Sequence, residues 1–324
     1  MSLFWGAGAL TDTDTVSIRP GAEARVATPR VDICICTYKR ADVVDALRTV
    51  AQQQGTHEMR YRVIVADNAE RPEAREMIVD AAHALGLELL YVHAPARNIS
   101  IARNACLDAA SAEWVAFIDD DEQATPHWLA ALMREAKQGD WDAVLGPVQA
   151  IYPDSIPHWI QHGDFHSTRP VYVRGRIETG YTGNVLIRRS LVEREKLRFR
   201  NELGRSGGED VDFFYRLRDA GGLIGFAPDA IALEAVPQAR ASLAWLLKRN
   251  FRAGQTHGAR LAVRSHGVAR VFELCKASAK AVVCTLGAAA YAAAPARRNR
   301  YLTRAGLHCG VVARLAGMSE ISFY

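Results

Sequence analysis

Phe117-Ile-Asp-Asp-Asp-Glu122 sets four adjacent carboxylates behind the apolar run Trp114–Ile118. Neighbouring like charges repel. Such a cluster is either a solvated acidic turn or a set of oxygen ligands for a divalent cation that offsets the repulsion. The apolar run reads as a strand that delivers the carboxylates to the edge of an open α/β sheet, where ligands of that architecture sit. Asp119 and Asp121 are two apart and project to one side if the backbone is extended. Asp120 can orient them from behind, and Glu122 can instead cap a helix beginning near Pro126. A second constellation is Gly207-Gly-Glu-Asp210, ahead of an apolar helix. Glycines there let the backbone approach a ligand closely. A carboxylate at a helix N-terminus is stabilised as an anion, so Asp210 could stay ionised beside a bound ligand. The same tetrapeptide is also an ordinary helix start.

The elements that must position these groups alternate regularly. Val31–Cys36 is a β-branched run and hence a strand, and Ala41–Gln54 carries Val43, Val44, Leu47 and Val50 on one helical stripe. Tyr61–Ala66 is a strand ending at Asp67-Asn68, and Pro72 opens a helix. Leu87–Val92, Ile99–Ala110 and Trp114–Ile118 follow as strand, helix and strand. This βαβαβαβ order predicts an α/β fold with a mostly parallel sheet, and each polar motif falls just after a strand. Further on, Pro126–Lys137 reads as a helix, Val144–Ile151 as one strand, Gly183–Ile187 as a strand and Val211–Ala220 as a helix. Leu223–Phe226 and Ile231–Val236 read as the last strands. Residues 152–180 form no clear element, and a long irregular loop in a compact unit is usually functional.

The net charge of +4 hides an asymmetry. From Arg240 onward there are fourteen Lys/Arg and two acids, leaving the first 239 residues at −8. A basic tail with few aromatics and no nucleic-acid motif points to an anionic membrane surface rather than nucleic acid. Within it, Leu243, Leu246, Leu247 and Phe251 share a helical face. Ala281–Ala294 is apolar but too short to span a bilayer comfortably. Arg297, Arg298, Arg300 and Arg304 follow at once. The tail reads as a segment lying in the membrane interface, or else as a helical pair packed on the core or on a second subunit. Six cysteines without metal spacing read as buried, reduced thiols. Residues 1–30 lack a long apolar core and read as a poorly ordered lead-in without a signal peptide.

In order and spacing, Cys36-Thr-Tyr-Lys-Arg40, Val65-Ala-Asp-Asn68, Ala102-Arg-Asn104, Phe117–Glu122, Thr182-Gly-Asn184 and Gly208-Glu-Asp-Val-Asp-Phe213 resemble the family 2 glycosyltransferases of GT-A fold. The resemblance runs from about Val31 to Arg240, and is strongest toward the bacterial exopolysaccharide members such as those of succinoglycan assembly. It implies a Rossmann-like GT-A unit over 31–240, with a nucleotide-binding half (31–122) and an acceptor half (123–240). A helical, membrane-associating region follows over 241–324. It implies that Thr37, Tyr38 and Arg40 surround base and ribose, with turn chemistry as the alternative. Asp67 would accept the N–H of uracil, or with Asn68 merely cap its loop. Arg97 and Arg103 would meet base or diphosphate, or one would pair with a surface acid. Asp119 and Asp120 would serve the donor, and Asp121 with Asp119 would bind Mg²⁺ or Mn²⁺ on the diphosphate. Asp210 would be the base, with Glu209 bonding the acceptor or standing in as base.

The chain departs from the family pattern after the last strand. Where many members carry a histidine ligand, this one offers Glu234. His158, His162 and His166 would stack at helical spacing, without a companion acid or cysteine for zinc. Trp159 and Tyr172 could stack on a sugar or simply pack. One carboxylate base and no candidate nucleophile imply single displacement, so an α-linked donor gives a β-linked product. The expectation is transfer of a hexose from a UDP-sugar, UDP-glucose first, to a polyprenyl-diphosphate-linked oligosaccharide. The enzyme would sit peripherally at the cytoplasmic face of the bacterial inner membrane, and a homodimer through the C-terminal helices is open. The rival readings are a non-catalytic nucleotide-sugar-binding scaffold, against which the intact carboxylates argue, and a nucleotidyltransferase. The latter wants a glycine-rich phosphate loop where this chain has Thr37-Tyr-Lys-Arg40.

Overall fold

The computed structural model describes residues 15–18, 31–57 and 59–321. The chain runs β1 (Thr15–Ile18), β2 (Val31–Thr37), α1 (Val43–Ala51), β3 (Tyr61–Asp67), α2 (Arg75–Ala84), β4 (Leu89–His93), α3 (Ile99–Ala109) and β5 (Trp114–Ile118). It continues through β6 (Glu122–Ala124), α4 (Trp128–Gly139), β7 (Ala143–Leu145), β8 (Val148–Ile151), α5 (His158–Gly163), β9 (Tyr172–Val173), β10 (Arg176–Ile177) and β11 (Asn184–Arg188). Then come α6 (Arg189–Arg194), α7 (Glu209–Asp219), β12 (Ile224–Phe226) and β13 (Ala232–Ala235). Three long helices follow: α8 (Leu243–Arg264), α9 (Gly267–Ala290) and α10 (Pro295–Leu315).

The main sheet has eight strands in the order β1-β4-β3-β2-β5-β11-β7-β12. β4, β3, β2 and β5 are parallel, and β11 runs antiparallel between β5 and β7. β2 explains why the sheet is covered on both sides. Ile33 and Ile35 pack in the layer of α1, α2 and α4, whereas Cys34 and Cys36 pack in the layer of α3 and α7. A strand buried on both faces reads as a continuous apolar run, as Val31–Cys36 does. Its one acid, Asp32, is fully buried but satisfied by Arg62 (2.6 Å) and by the Ser111 and Ala112 N–H groups. Because β2, β3 and β5 are parallel, their C-terminal ends share one sheet edge. A three-stranded sheet, β6-β13-β8, flanks that edge.

Several expectations need correction. Thr15–Ile18 is no loose lead-in but an edge strand paired antiparallel with β4. The other residues of the 1–30 segment lie outside the described residues. Val144–Ile151 breaks at Gly146-Pro147 into β7 and β8, which join different sheets. Proline supplies no ladder N–H, and a side chain on Gly146 would come 2.3 Å from the Ala230 carbonyl oxygen. Within residues 152–180 a short helix and a two-stranded hairpin form. Cys275 and Cys309 are exposed, although Cys34, Cys36, Cys106 and Cys284 are buried as expected.

The apolar stretch after Lys280 is the second half of one continuous helix, α9. α10 turns back against α8 so closely that a Cβ on Gly254 would come 1.9 Å from the Leu307 carbonyl oxygen. α8 and α10 are thus packed on each other. α9 keeps an outward face bearing Val268, Val271, Phe272, Val282, Val283 and Leu286. Among the described residues, no helix is long and apolar enough to cross a membrane.

Candidate active site

β2, β3 and β5 bring three loops to the shared edge, and the second acid group arrives from α7. Thr37, at the end of β2, donates to Asp120 Oδ2 (2.8 Å). Arg40 places one nitrogen between Asp120 Oδ1 (2.9 Å) and Asp121 Oδ2 (2.6 Å). Burial pushes the Asp120 carboxyl up to about 6, against the opposing pull of Arg40 and Thr37. Asp120 thus ties two loops together, while Asp119 and Asp121 remain partly open to solvent. Burial also raises Asp119, Arg103 lowers it, and the negative charge of Asp121 raises it further. That mutual repulsion is the condition a bound cation relieves.

Glu122 does not cap α4. It lies buried in β6 and accepts the Asp119 N–H (3.1 Å). Burial, followed by the Asp119 charge, holds it well above the usual carboxylate range. Gly183 passes directly over this pair: a Cβ there would fall 2.5 Å from Glu122 Oε1 and 3.2 Å from Asp119 Oδ2. Next to it, the buried Asn184 accepts from Trp128 Nε1 (2.8 Å) and donates to the Pro147 and Ala230 carbonyls (2.9 and 2.7 Å). Thr182-Gly-Asn184 thus closes the floor of the site and joins β11 to α4 and two loops. The motif marked this segment in the sequence; the role of Trp128 did not show there.

Arg103, on α3, links the two acid groups. One guanidinium nitrogen donates to Glu209 Oε1 (2.5 Å) and another lies 3.7 Å from Asp119 Oδ1. Its side chain is only 8% exposed and stacks over Phe199. Both of its ionic partners are carboxylates. Glu209 Oε2 is buried without a hydrogen-bond partner, an acceptor atom left over for a ligand. Asp210 follows at the first turn of α7 and accepts the Val211 N–H (2.7 Å). Burial and the Glu209 charge push its carboxyl up to about 7, with Arg103 pulling the other way. A carboxylate poised there suits general-base work near neutral pH.

The rim differs from expectation. Asp67 is fully buried and accepts from the Ala69 N–H (2.9 Å) and the Tyr91 hydroxyl (2.7 Å). The Ala69 bond is that of a loop cap. Arg97 is the arginine that pairs with a surface acid, Glu70, at 3.5 Å, and it lies over the Tyr38 ring. Tyr38 donates to Glu70, and Lys39 sits 2.9 Å from it. The Lys39 hydrogen bond holds Glu70 down at about 2. Glu70 was not singled out in the sequence, where only its position two residues after Asn68 hinted at it. Glu234 sits opposite Glu122 in the β6–β13 ladder but is paired with Arg240 (2.9 Å). Among the described residues, no three His, Cys, Asp or Glu side chains form a closed metal cage. Asp119 and Asp121 are oxygen donors of the type a hard divalent cation takes, and both face arginines here, Arg103 at 3.7 Å and Arg40 at 2.6 Å.

The histidine stripe does not form. His158 and His162 stack, but His166 turns away onto Trp245. Trp159 is partly buried and packs edge-on against Phe165 beside a small core, and Tyr172 stands exposed on the β9–β10 hairpin.

Comparison with known proteins gives this architecture its place. A family profile described as "Glycosyl transferase family 2" matches residues 32–195. The succinoglycan biosynthesis protein ExoM of Rhizobium meliloti (strain 1021) is 46% identical over 297 residues, covering 92% of this chain and 96% of the relative. Glycosyltransferase AglE of Haloferax volcanii is 26% identical over 228 residues, 70% of this chain and 72% of the relative. Among solved structures, the mannosyltransferase PcManGT of Pyrobaculum calidifontis, in complex with GDP-Man and Mn²⁺, superposes with a TM-score of 0.59 at 19% identity. That match covers 94% of this chain and 91% of the other. With the profile, the close relative and the sheet topology in agreement, the chain belongs to glycosyl transferase family 2 and is a glycosyltransferase of GT-A fold.

Proposed function

We propose that this enzyme is a metal-dependent, inverting hexosyltransferase. It transfers a hexose from a UDP-sugar, UDP-glucose first among donors, to a polyprenyl-diphosphate-linked oligosaccharide during exopolysaccharide assembly, and forms a β-glycosidic bond. The observation that carries the reading is Arg103, which lies between Asp119 and Glu209 and so brings the two acid groups near one another. Thr37 and Arg40 hold the aspartate loop, and Tyr38 and Arg97 present a face for the base. Asp119 and Asp121 would hold Mg²⁺ or Mn²⁺, which when bound would supply positive charge to offset that of a diphosphate leaving group. Asp210 takes the proton from the acceptor hydroxyl as its oxygen attacks the anomeric carbon from the face opposite the leaving group. Glu209 Oε2, lacking a partner, orients that hydroxyl. Exopolysaccharide is favoured by the likeness to the succinoglycan protein, and a nucleotide-sugar donor by the fold shared with the GDP-Man complex.

The test is metal-dependent release of UDP or GDP across a panel of UDP- and GDP-sugars, with Asp210→Asn alongside. Release of UDP from UDP-glucose is expected to depend on Mg²⁺ or Mn²⁺. Asp210→Asn should abolish turnover and leave UDP binding within about twofold, since one hydrogen-bond acceptor is exchanged for another. Full turnover by this variant refutes the base assignment.

The cytoplasmic face of the inner membrane is proposed as the site of action, through α9. Its apolar face repeats at 268, 272, 275, 279, 282 and 286, a stripe of helical spacing. Lys276, Lys280 and the arginines at the start of α10 supply charge for anionic headgroups. Val282→Asp with Leu286→Asp should release the protein from anionic vesicles. Unchanged sedimentation would refute α9 as the membrane contact, and a dimer that the double variant dissociates would assign the face to a second copy.

A further inference from the structure

The site's glycine turn is held from outside the stretch matched by the family profile, by Arg252 on α8. Its side chain is nearly buried, at 7% exposure. Nε donates to the Ser206 carbonyl (3.0 Å) and Nη2 to the Gly207 carbonyl (2.7 Å), while Nη1 donates to Thr256 Oγ1 (2.8 Å). Glu320, past the end of α10, neutralises it at 2.7 Å. The turn so held is unusual. Gly207 and Gly208 have φ of +87° and +90°, which L side chains rarely adopt. A Cβ on Gly208 would meet Thr256 at 2.8 Å. A planar fork gripping two successive carbonyls fixes both position and direction, which a lysine point charge does not.

We infer that Arg252 is a positioning residue for the transfer reaction, and that the C-terminal helices are part of the catalytic apparatus rather than only an anchor. Asp210 lies two residues beyond Gly208, so a rotation of this turn displaces the base directly. The donor side has anchors of its own in Thr37, Arg40 and Asp120, and meets α7 only through Arg103 among the contacts described. Gln255 adds to the clamp by donating to the Ser319 carbonyl (3.0 Å) and accepting the Ile321 N–H (2.9 Å), which ties the segment carrying Glu320 to α8. Loss of Arg252 should therefore slow the chemical step and spare donor binding. A purely structural role would loosen both.

The inference rests on Asp210 as the base, so Asp210→Asn is measured in parallel. The full-length protein is assayed for UDP release from UDP-glucose, for UDP affinity and for amide exchange. Arg252→Met is expected to lower kcat about tenfold or more, with the donor KM and UDP Kd within about twofold of wild type. Amides 207–212 should exchange faster while 117–122 keep their protection. Arg252→Lys, which keeps the charge but loses the fork, should recover only part of the rate, and it carries the test if the methionine variant does not fold. Wild-type kcat in either folded variant, a parallel loss in kcat and donor affinity, or unchanged exchange at 207–212 overturns the inference. Turnover surviving in Asp210→Asn, or no release from UDP-glucose by wild type, defeats the base or donor assignment instead, and amide exchange still judges the brace.

Discussion

Asp210→Asn should yield a protein that is inactive and yet more stable than its parent. The folded carboxyl sits at about 7 against an ordinary value of 3.8, chiefly through burial and the Glu209 charge. A raised acid binds its proton more tightly in the folded state. Its favourable contribution is complete below pH 4 and is lost as pH climbs through about 7. Taken at face value, the shift corresponds to about 4 kcal/mol lost at pH 8. The side chain is only part-buried, so water screens some of this, and about 2 kcal/mol is the working figure. Asparagine resembles the protonated acid in shape, can still accept the Val211 N–H, and carries no charge at any pH. The other raised carboxylates, Asp119, Asp120 and Glu122, are common to both proteins and largely cancel in the comparison. At pH 8 the variant should melt roughly 4 °C higher, and the gap should close toward zero as pH falls to 4. Calorimetry on both proteins across that range, with UDP release measured at pH 8, decides the matter. A variant equally stable at pH 8, or one whose advantage grows on acidification, refutes the electrostatic account of the site.

Other outcomes follow from the same geometry. The kcat/KM for the donor should rise about tenfold per pH unit below 7 and level off above, because the base works only when ionised; a flat profile from pH 5 to 8 contradicts this. Chelation should abolish turnover and Mn²⁺ or Mg²⁺ should restore it, with UDP affinity falling about tenfold in their absence; calorimetry with and without the ion reads this directly. Gly183→Ala should lower stability by about 1–3 kcal/mol and weaken metal-dependent UDP binding, since the new methyl would press on Glu122 and Asp119. Wild-type affinity in that variant would mean that the floor of the site yields without consequence.

Local pattern carried most of the elements. Val31–Cys36, Tyr61–Ala66 and Trp114–Ile118 are recognisable as strands because their apolar runs need cover on two faces, and α1 because its stripe has helical period. The adjacency of Asp119, Asp120 and Asp121 also announced itself, since repulsion between neighbours is a property of the chain. What escaped was every pairing made across the fold. Asp67 could be read as a base ligand or a loop cap; the Tyr91 hydroxyl, 24 residues away, supplies the second bond. Arg103 reads in sequence as one more phosphate candidate, and only the approach of α7 to α3 makes it a bridge. Glu234 pairs with Arg240, and His166 leaves its stripe for Trp245 because α8 folds back beside it.

The sequence by itself determined which groups could do chemistry and on which strand ends they would stand, because side-chain type and backbone period are local quantities. Tertiary structure alone decided which carboxylates stand together, how far burial and Glu209 raise Asp210, and that an arginine from the C-terminal helices grips its turn. Those depend on desolvation and on distances between residues far apart in the chain, and neither is defined until the layers have packed.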